Sequence, residues 1–448
     1  MMLTLRETAL ALEGQLTGDA ELAFLRVTTD SRDVQPGDLF VALQGERFDG
    51  HDFVAGALAD GAVAALVARP TGALAEVVVP DTQVALTRLA AYWRNKLDPT
   101  VIAVTGSNGK TTVKEMIAKV LAAHTGPDAV LATRGNLNNH IGVPLTLLSL
   151  RAAHRYAVVE MGMNHFGEIA ALTALARPDI ALVNNAGAAH LEALGSVEGV
   201  ARAKGEIFGG LAADGIAIIN ADDAYAELWS RLAAGRKQIT FGINAAEISA
   251  RDIAHAAHES RFILDAPLDD APVTLPAPGL HNVRNALAAA AVGYALRMPI
   301  AVIAQALGSY AGVNGRLQSK AAFNGARLID DTYNANPDSM KAAIDVLTAA
   351  PGPTLLVLGD IGEVGEQAAL LHAEVGAYAR QRGVDALFTL GVQMRHAAAA
   401  FGEAQHFDDL QALVQAVRAA LPPHGTVLVK GSRFMRMERV VAALAEGS

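Results

Sequence analysis

At 448 residues the chain is too long for one ordinary hydrophobic core and predicts about three domains. With 52% hydrophobic and 18% charged residues it is neither disordered nor fibrous, and 36 basic against 46 acidic residues, a net charge of −10, leave no overall positive field for a nucleic acid. No cysteine occurs, which excludes disulfides, thiolate-bound zinc and iron-sulfur clusters.

Taken in chain order, the opening stretch is interrupted by Arg6, Glu7, Glu13 and Asp19, so it fits neither a secretory signal nor a membrane span. The later apolar run Leu287 to Leu296 is also too short to span, and a soluble, cytoplasmic protein is expected. Thr29-Asp30-Ser31-Arg32 taken alone is a turn bearing a surface charge. A helix over Leu86 to Asn95 must stop before Asp98-Pro99, because proline disfavours helical backbone in the residue ahead of it; a first boundary follows at 98.

Beyond it, apolar runs of strand length alternate with amphipathic segments: Val101 to Val104, Val113 to Ala123, Tyr156 to Met161, Phe166 to Ala176, Ile180 to Val183 and Val197 to Leu211. This alternation predicts a parallel α/β sheet. Short β-like pieces carrying Pro267, Pro272 and Pro276 follow between Glu247 and Pro276 and predict an antiparallel appendage. A helix is expected over Asn285 to Leu296, and a second linker near residue 313. Alternation then restarts with Arg327 to Ile329, Thr354 to Leu358, Ala386 to Leu390 and Val427 to Val429. The expected domains are therefore 1–98, 99–313 and 314–448.

The strongest local signal is Val101-Ile102-Ala103-Val104 leading into Thr105-Gly106-Ser107-Asn108-Gly109-Lys110-Thr111-Thr112: a buried strand, a glycine turn and a helix start. Gly106 and Gly109 let backbone N–H groups turn inward around phosphate oxygens at the positive end of a helix. Lys110 adds a mobile charge for the outer phosphates, and the Thr111 hydroxyl suits a Mg²⁺ shell. The loop is shorter than the general phosphate-loop pattern, since Val104 stands where the first glycine belongs.

This short loop, with Asn136 to Pro144, Glu160-Met161-Gly162-Met163-Asn164, Asn184 to Leu191 and Ala203-Lys204-Gly205-Glu206-Ile207 in order behind it, resembles the Mur ligases and, less closely, the folylpolyglutamate synthases. The resemblance implies a central P-loop-type ATP-binding α/β domain with a mostly parallel sheet. It also implies an N-terminal α/β domain for a UDP-linked substrate and a C-terminal Rossmann-like α/β domain. The loop residues implied to hold ATP are Gly106, Ser107, Asn108, Gly109, Lys110, Thr111 and Thr112. Two Mg²⁺ ions are implied, with Thr111, Glu160, His190 and a carbamate formed from CO₂ on Lys204 as ligands. Lys110, His190 and Lys204 are the implied catalytic residues. Without the resemblance, His190 is a loop histidine and Lys204 a lysine on a solvated helix face.

Asn282 of His281-Asn282-Val283-Arg284-Asn285 matches the family asparagine that meets adenine, while Arg316 and Asp331 are implied to approach phosphate and ribose from the C-terminal domain. Ser31 and Arg32 are implied to contact uridine and diphosphate. Tyr333, Asn334 and Asn336 resemble the amino-substrate segment of the family member that adds D-alanyl-D-alanine to UDP-N-acetylmuramoyl-tripeptide, as does Lys430 to Glu438. Leu358-Gly359-Asp360-Ile361-Gly362-Glu363 departs from the family at Ile361 and Gly362, with a consequence expected only for local packing. The implied enzyme is a monomeric ATP-dependent amide ligase working through an acyl-phosphate, with no nucleic acid partner. Two alternatives remain: another ligase of this family or of the folylpolyglutamate synthases, and a phosphate-loop ATPase switch that moves a partner without ligating.

Overall fold

The computed structural model describes residues 1–256 and 258–445, arranged as three α/β domains. The first sheet runs 15–17, 76–78, 64–67, 38–41 and 26–28, parallel except for the first pair. The helix Thr82–Lys96 leads out of this layer. Asp81 caps it by accepting from the Gln83 and Val84 amides at 2.8 and 2.9 Å, and Arg94 and Lys96 sit in its last turn, where cations suit the dipole.

The second sheet has the order 237–241, 216–220, 180–183, 100–105, 156–160 and 130–132, all parallel. Thr100–Thr105, Tyr156–Glu160 and Ile180–Val183 lie at its centre and are buried on both faces, which is why they read as unbroken apolar runs. Burying a side chain such as Leu182 stabilises by roughly 1.5–3 kcal/mol. The alanine-rich helix Leu280–Ala295 packs beside Lys110–Thr125 and the helix Ile300–Gly308, and a Cβ at Gly293 would meet Val120 Cγ1 of the former at 3.0 Å and Ile303 Cδ1 of the latter at 2.7 Å, so the close approach of these helices needs glycine. The expected antiparallel appendage is the three-stranded sheet 249–255, 260–266, 269–275.

The last sheet runs 318–321, 327–331, 426–430, 354–359, 386–390 and 405–407, parallel but for its first strand. Strands of both six-stranded sheets end in loops that face one shared cavity, the position where parallel sheets present ligand-binding residues. One element differs from its sequence reading. The segment expected to be a single helix over Val197 to Leu211 stops at Gly205 and continues as a tight 3-10 turn, Glu206–Gly210. Glu206 turns away there to accept from the Gly167 and Ala170 amides at the start of the helix Glu168–Ala176. Among the described residues no helix is long and apolar enough to cross a membrane.

Candidate functional site

The phosphate loop is held by asparagines. Asn185 Oδ1 accepts from the Asn108 amide at 2.8 Å, and Asn184 Nδ2 donates to both Asn108 O and Asn285 Oδ1 at 2.9 Å. Gly109 has φ 77°, and a Cβ there would run into the Asn285 and Asn184 amides, so both backbone and space demand glycine. The helix Lys110–Thr125 starts immediately after it, leaving its first N–H groups free for an anion. Lys110 curls back to donate to Gly106 O at 2.7 Å. Burial pushes its amine below the usual lysine range, while the Glu160 charge opposes that shift.

Glu160 ends its strand at 2% exposure, accepting from Thr111 Oγ1 at 2.9 Å and from Asn138 Nδ2 at 2.8 Å. Its backbone N–H donates to Thr133 Oγ1 at 3.0 Å. Thr111 also accepts from Arg316 Nη2 at 2.9 Å, so one hydroxyl joins the central strand end to the last domain. The Arg316 guanidinium lies 4.2 Å from the Tyr333 ring centroid, an arrangement worth about 0.5–2 kcal/mol.

Lys204 lies at the end of the helix Val197–Gly205, is 1% exposed, and lines the same cavity as Lys110, Glu160 and His190. No hydrogen bond or ion pair to its amine is found among the described residues. Burial first, and the Lys110 charge second, push it well below the usual lysine value. His190 has φ 56° and its Nδ1 lies 2.7 Å from Glu363 Oε2. Among the described residues no group of three or more His, Asp or Glu side chains is arranged to hold a metal unaided.

Across the cavity, Asn336 caps the helix Pro337–Thr348 and donates from Nδ2 to Asn108 Oδ1 at 2.7 Å. Asp338 accepts from the Ala188 amide at 3.2 Å. Asp331 is engaged within its own domain, with Oδ2 2.7 Å from Lys430 Nζ and Oδ1 accepting from Leu317 N at 3.1 Å. Lys430 also donates to Asn334 O at 2.9 Å, and Asn334 Oδ1 accepts from Arg433 N at 3.3 Å. Asn282 donates to Pro278 O at 2.8 Å and accepts from Asn285 at 3.3 Å; neighbouring His281 is pushed down to about 4 by burial.

The resulting cavity has a volume of about 1400 Å³. Ser107, Asn108, Gly109, Lys110 and Thr112 of the loop line it, together with Glu160, His190, Lys204, Asn282, Arg316, Asp331, Tyr333, Asn334 and Asn336; Gly106 and Thr111 support that lining from behind. Ser31 and Arg32 are not part of it. Arg32 is exposed and forked onto Asp30 at 2.7 and 2.8 Å. Sequence reasoning missed Glu363, Asp338 and Tyr310, the last pushed up to about 12 by burial. All three reach the site through contacts between distant segments. Asn285 was nearer to hand, one helical turn after Asn282 on the same face.

Family models match in three consecutive stretches: the Mur ligase family catalytic domain over residues 25–93, the Mur ligase middle domain over 104–293, and the Mur ligase glutamate ligase domain over 315–433. The UDP-N-acetylmuramoyl-tripeptide--D-alanyl-D-alanine ligase of Escherichia coli is 45% identical, covering 99% of this chain and 98% of that protein. The Haemophilus influenzae enzyme of the same name is 40% identical over 98% of both. Among solved structures, MurF from Acinetobacter baumannii superposes with a TM-score of 0.91 at 37% identity, covering 98% of each chain. MurF ligase from Thermotoga maritima in complex with ADP gives 0.83 at 28%, covering 94% of this chain and 97% of that one. With its three domains each matched by a family model and nearly its whole length matched by these relatives, the chain belongs to the Mur ligase family.

Proposed function

We infer that the chain is the ligase that joins D-alanyl-D-alanine to UDP-N-acetylmuramoyl-tripeptide at the expense of ATP, a step of peptidoglycan precursor synthesis. The observation that carries this is one cavity in which Lys110, Glu160, His190 and Lys204 from the middle domain face Arg316, Tyr333 and Asn336 from the last. The full-length relatives named for this reaction, and the Thermotoga maritima ligase with ADP, support it.

In this reading residues 1–98 bind the UDP-muramoyl-peptide, 99–313 bind ATP and carry the chemistry, and 314–448 bring D-alanyl-D-alanine and close on the nucleotide. The tripeptide carboxylate oxygen attacks the γ-phosphorus, forming an O–P bond as the bond to the β-phosphate oxygen breaks and ADP leaves. The D-alanyl-D-alanine amine then attacks the carbonyl carbon; its C–N bond forms, phosphate leaves with the C–O electron pair, and a proton is released. Free backbone N–H groups at the loop and the Lys110 amine oppose charge growing on the transferred phosphoryl oxygens. Asn282 meets adenine, Arg316 phosphate and Asp331 ribose, while Tyr333, Asn334 and Asn336 orient the incoming amine.

Thr111 and Glu160 offer hard oxygens and His190 an imidazole, a donor set that fits Mg²⁺ when phosphate oxygens complete the shell. Two such ions would neutralise charge between the phosphates and the acceptor carboxylate. Lys204 fits this company only after modification. As an ammonium it repels a cation, whereas its buried, acceptor-less amine is set to be neutral and to attack CO₂. The N–C bond forms, a proton goes to solvent, and a carbamate anion remains.

Incubation with ATP, Mg²⁺, UDP-muramoyl-tripeptide and D-alanyl-D-alanine should yield the pentapeptide product by mass analysis, with sustained ADP turnover only when both acceptor and amine are present. ATP turnover without them would instead favour the switch. Lys110→Ala should abolish ligation, by about a thousandfold or more, while calorimetric binding of the UDP-substrate persists. Loss of both in a folded variant would overturn the division of labour between domains.

A further inference from the structure

The Ile361-Gly362-Glu363 segment, where this chain departs from its family at two positions, does more than pack. It leaves the strand Thr354–Gly359 and is pinned inside the last domain: Ile361 N donates to His372 Nε2 at 2.9 Å and Gly362 N to Ser432 Oγ at 2.9 Å. Ser432 Oγ in turn donates to Ala335 O at 3.2 Å, within the candidate amino-substrate segment. The far end of the segment lies against the middle domain, where a Cβ on Gly365 would sit 3.6 Å from Glu192 Cα. Leu191 packs against the apolar cores of both domains. Glu363 thus belongs to one domain and meets His190 of another, with its Oε2 2.7 Å from Nδ1.

Both partners have left-handed backbones, φ 61° at Glu363 and φ 56° at His190, a region that side-chain-bearing residues enter at a cost of about 1 kcal/mol or more each. Such a pair of conformations persists where the surroundings over-determine it. An ordinary surface ion pair, worth little and easily rearranged, would need neither. His190 lines the reaction cavity while Glu363 stands behind it and is absent from the lining. A carboxylate behind an imidazole decides which ring nitrogen carries the proton.

We propose that Glu363 is a positioning residue for His190: its carboxylate accepts the Nδ1–H, fixing the tautomer that leaves Nε2 with a free lone pair, and it does so only when the last domain is docked on the middle one. The inference rests on the ligase reading, in which His190 serves the reaction. Docking of the amino-substrate domain then sets the imidazole as it brings Asn336 to Asn108, so the ring is held in that orientation and tautomer only in the assembled site.

The test uses the full chain with Glu363→Ala and Glu363→Gln. Glu363→Ala should lower kcat by about 10–100-fold, the usual effect of removing such a partner, with KM for the UDP-substrate and the melting temperature unchanged. Glu363→Gln, whose amide oxygen still accepts from Nδ1–H, should regain most of that loss. Nuclear magnetic resonance of ring-¹⁵N-labelled histidine, with His190→Gln for assignment and a non-hydrolysable ATP analogue plus UDP-substrate present, should find the Nδ1–H form in the parent chain and in Glu363→Gln. Glu363→Ala should shift it toward Nε2–H. A Glu363→Ala enzyme with parental kcat and the Nδ1–H form retained overturns the proposal, as does equal loss in both variants with a fall in melting temperature. Failure of the parent chain to make product overturns the ligase reading instead, so the two are told apart.

Discussion

Lys114 and Lys204 are both lysines of the middle domain, both on helices and both 1% exposed, yet their surroundings are opposite. Lys114 Nζ donates to Thr133 O at 2.6 Å and lies 2.7 Å from Glu115 Oε1. Thr133 in turn receives the backbone N–H of Glu160, so this lysine is part of the frame that fixes the strand end. Lys204 has no such partner among the described residues and lies within the electrostatic reach of Lys110. Burial is common to both; what separates them is satisfaction. A buried amine with acceptors belongs to the architecture, while one without them is held in readiness for something that arrives later.

The sharpest way to break this comparison is to remove the lysine that lacks partners. Lys204→Ala should lower ligation at least about a hundredfold, with partial recovery on adding a short carboxylate that fills the vacated space. Lys204→Met should be equally inactive yet no less stable, because an apolar side chain of similar shape replaces a buried, unbonded amine. Activity assays and thermal melts read the two effects separately, and ¹³CO₂ labelling looks for the adduct. A fully active Lys204→Ala enzyme would return this lysine to the role of a bystander.

Lys114→Met should do the reverse. It strands Thr133 O in a buried position and costs about 1–3 kcal/mol, lowering the melting temperature by roughly 2–4 °C per kcal/mol for a domain of this size. Activity should fall only modestly, through looser seating of Glu160. A melting temperature equal to the parent's, alongside a collapse in kcat, would mean that Lys114 and not Lys204 is the reactive amine.

The two lysines also mark how far the sequence could be read. The phosphate loop was legible because strand, glycine turn and helix start are contiguous, and Gly109 answers to a local demand on φ. The central strands were legible because burial on both faces leaves unbroken apolar runs. The first sheet was not, since strands such as Gln15–Thr17 and Arg26–Thr28 are three residues long and carry no period. Lys204 could be singled out only by resemblance, for the residues around it on the helix look the same whether its amine meets solvent, an acceptor or an empty cavity. That nearby Glu206 turns away to cap the helix at Glu168 depends on a contact 36–39 residues away. Glu363 was invisible for the same reason, its partner lying in a different domain.

The smallest effect is expected where a charge is neither buried nor unpartnered. Arg32 is exposed, and its guanidinium grips Asp30 through Nε at 2.8 Å and Nη2 at 2.7 Å, so a diphosphate must compete with a carboxylate already in the fork. Solvent screens both interactions, and the exchange of one anion for another gains little. Arg32→Ala should therefore weaken UDP-substrate binding only about three- to tenfold at low ionic strength, and by less as salt is raised, with kcat unchanged. Calorimetry at two salt concentrations checks this. Binding that is insensitive to both the substitution and salt would move the diphosphate contact elsewhere in the first domain. A loss as large as that from Lys204→Ala would mean that the turn at Asp30 rearranges to bury Arg32 against the ligand, and that this domain, like the central cavity, holds a side chain in reserve for what it binds.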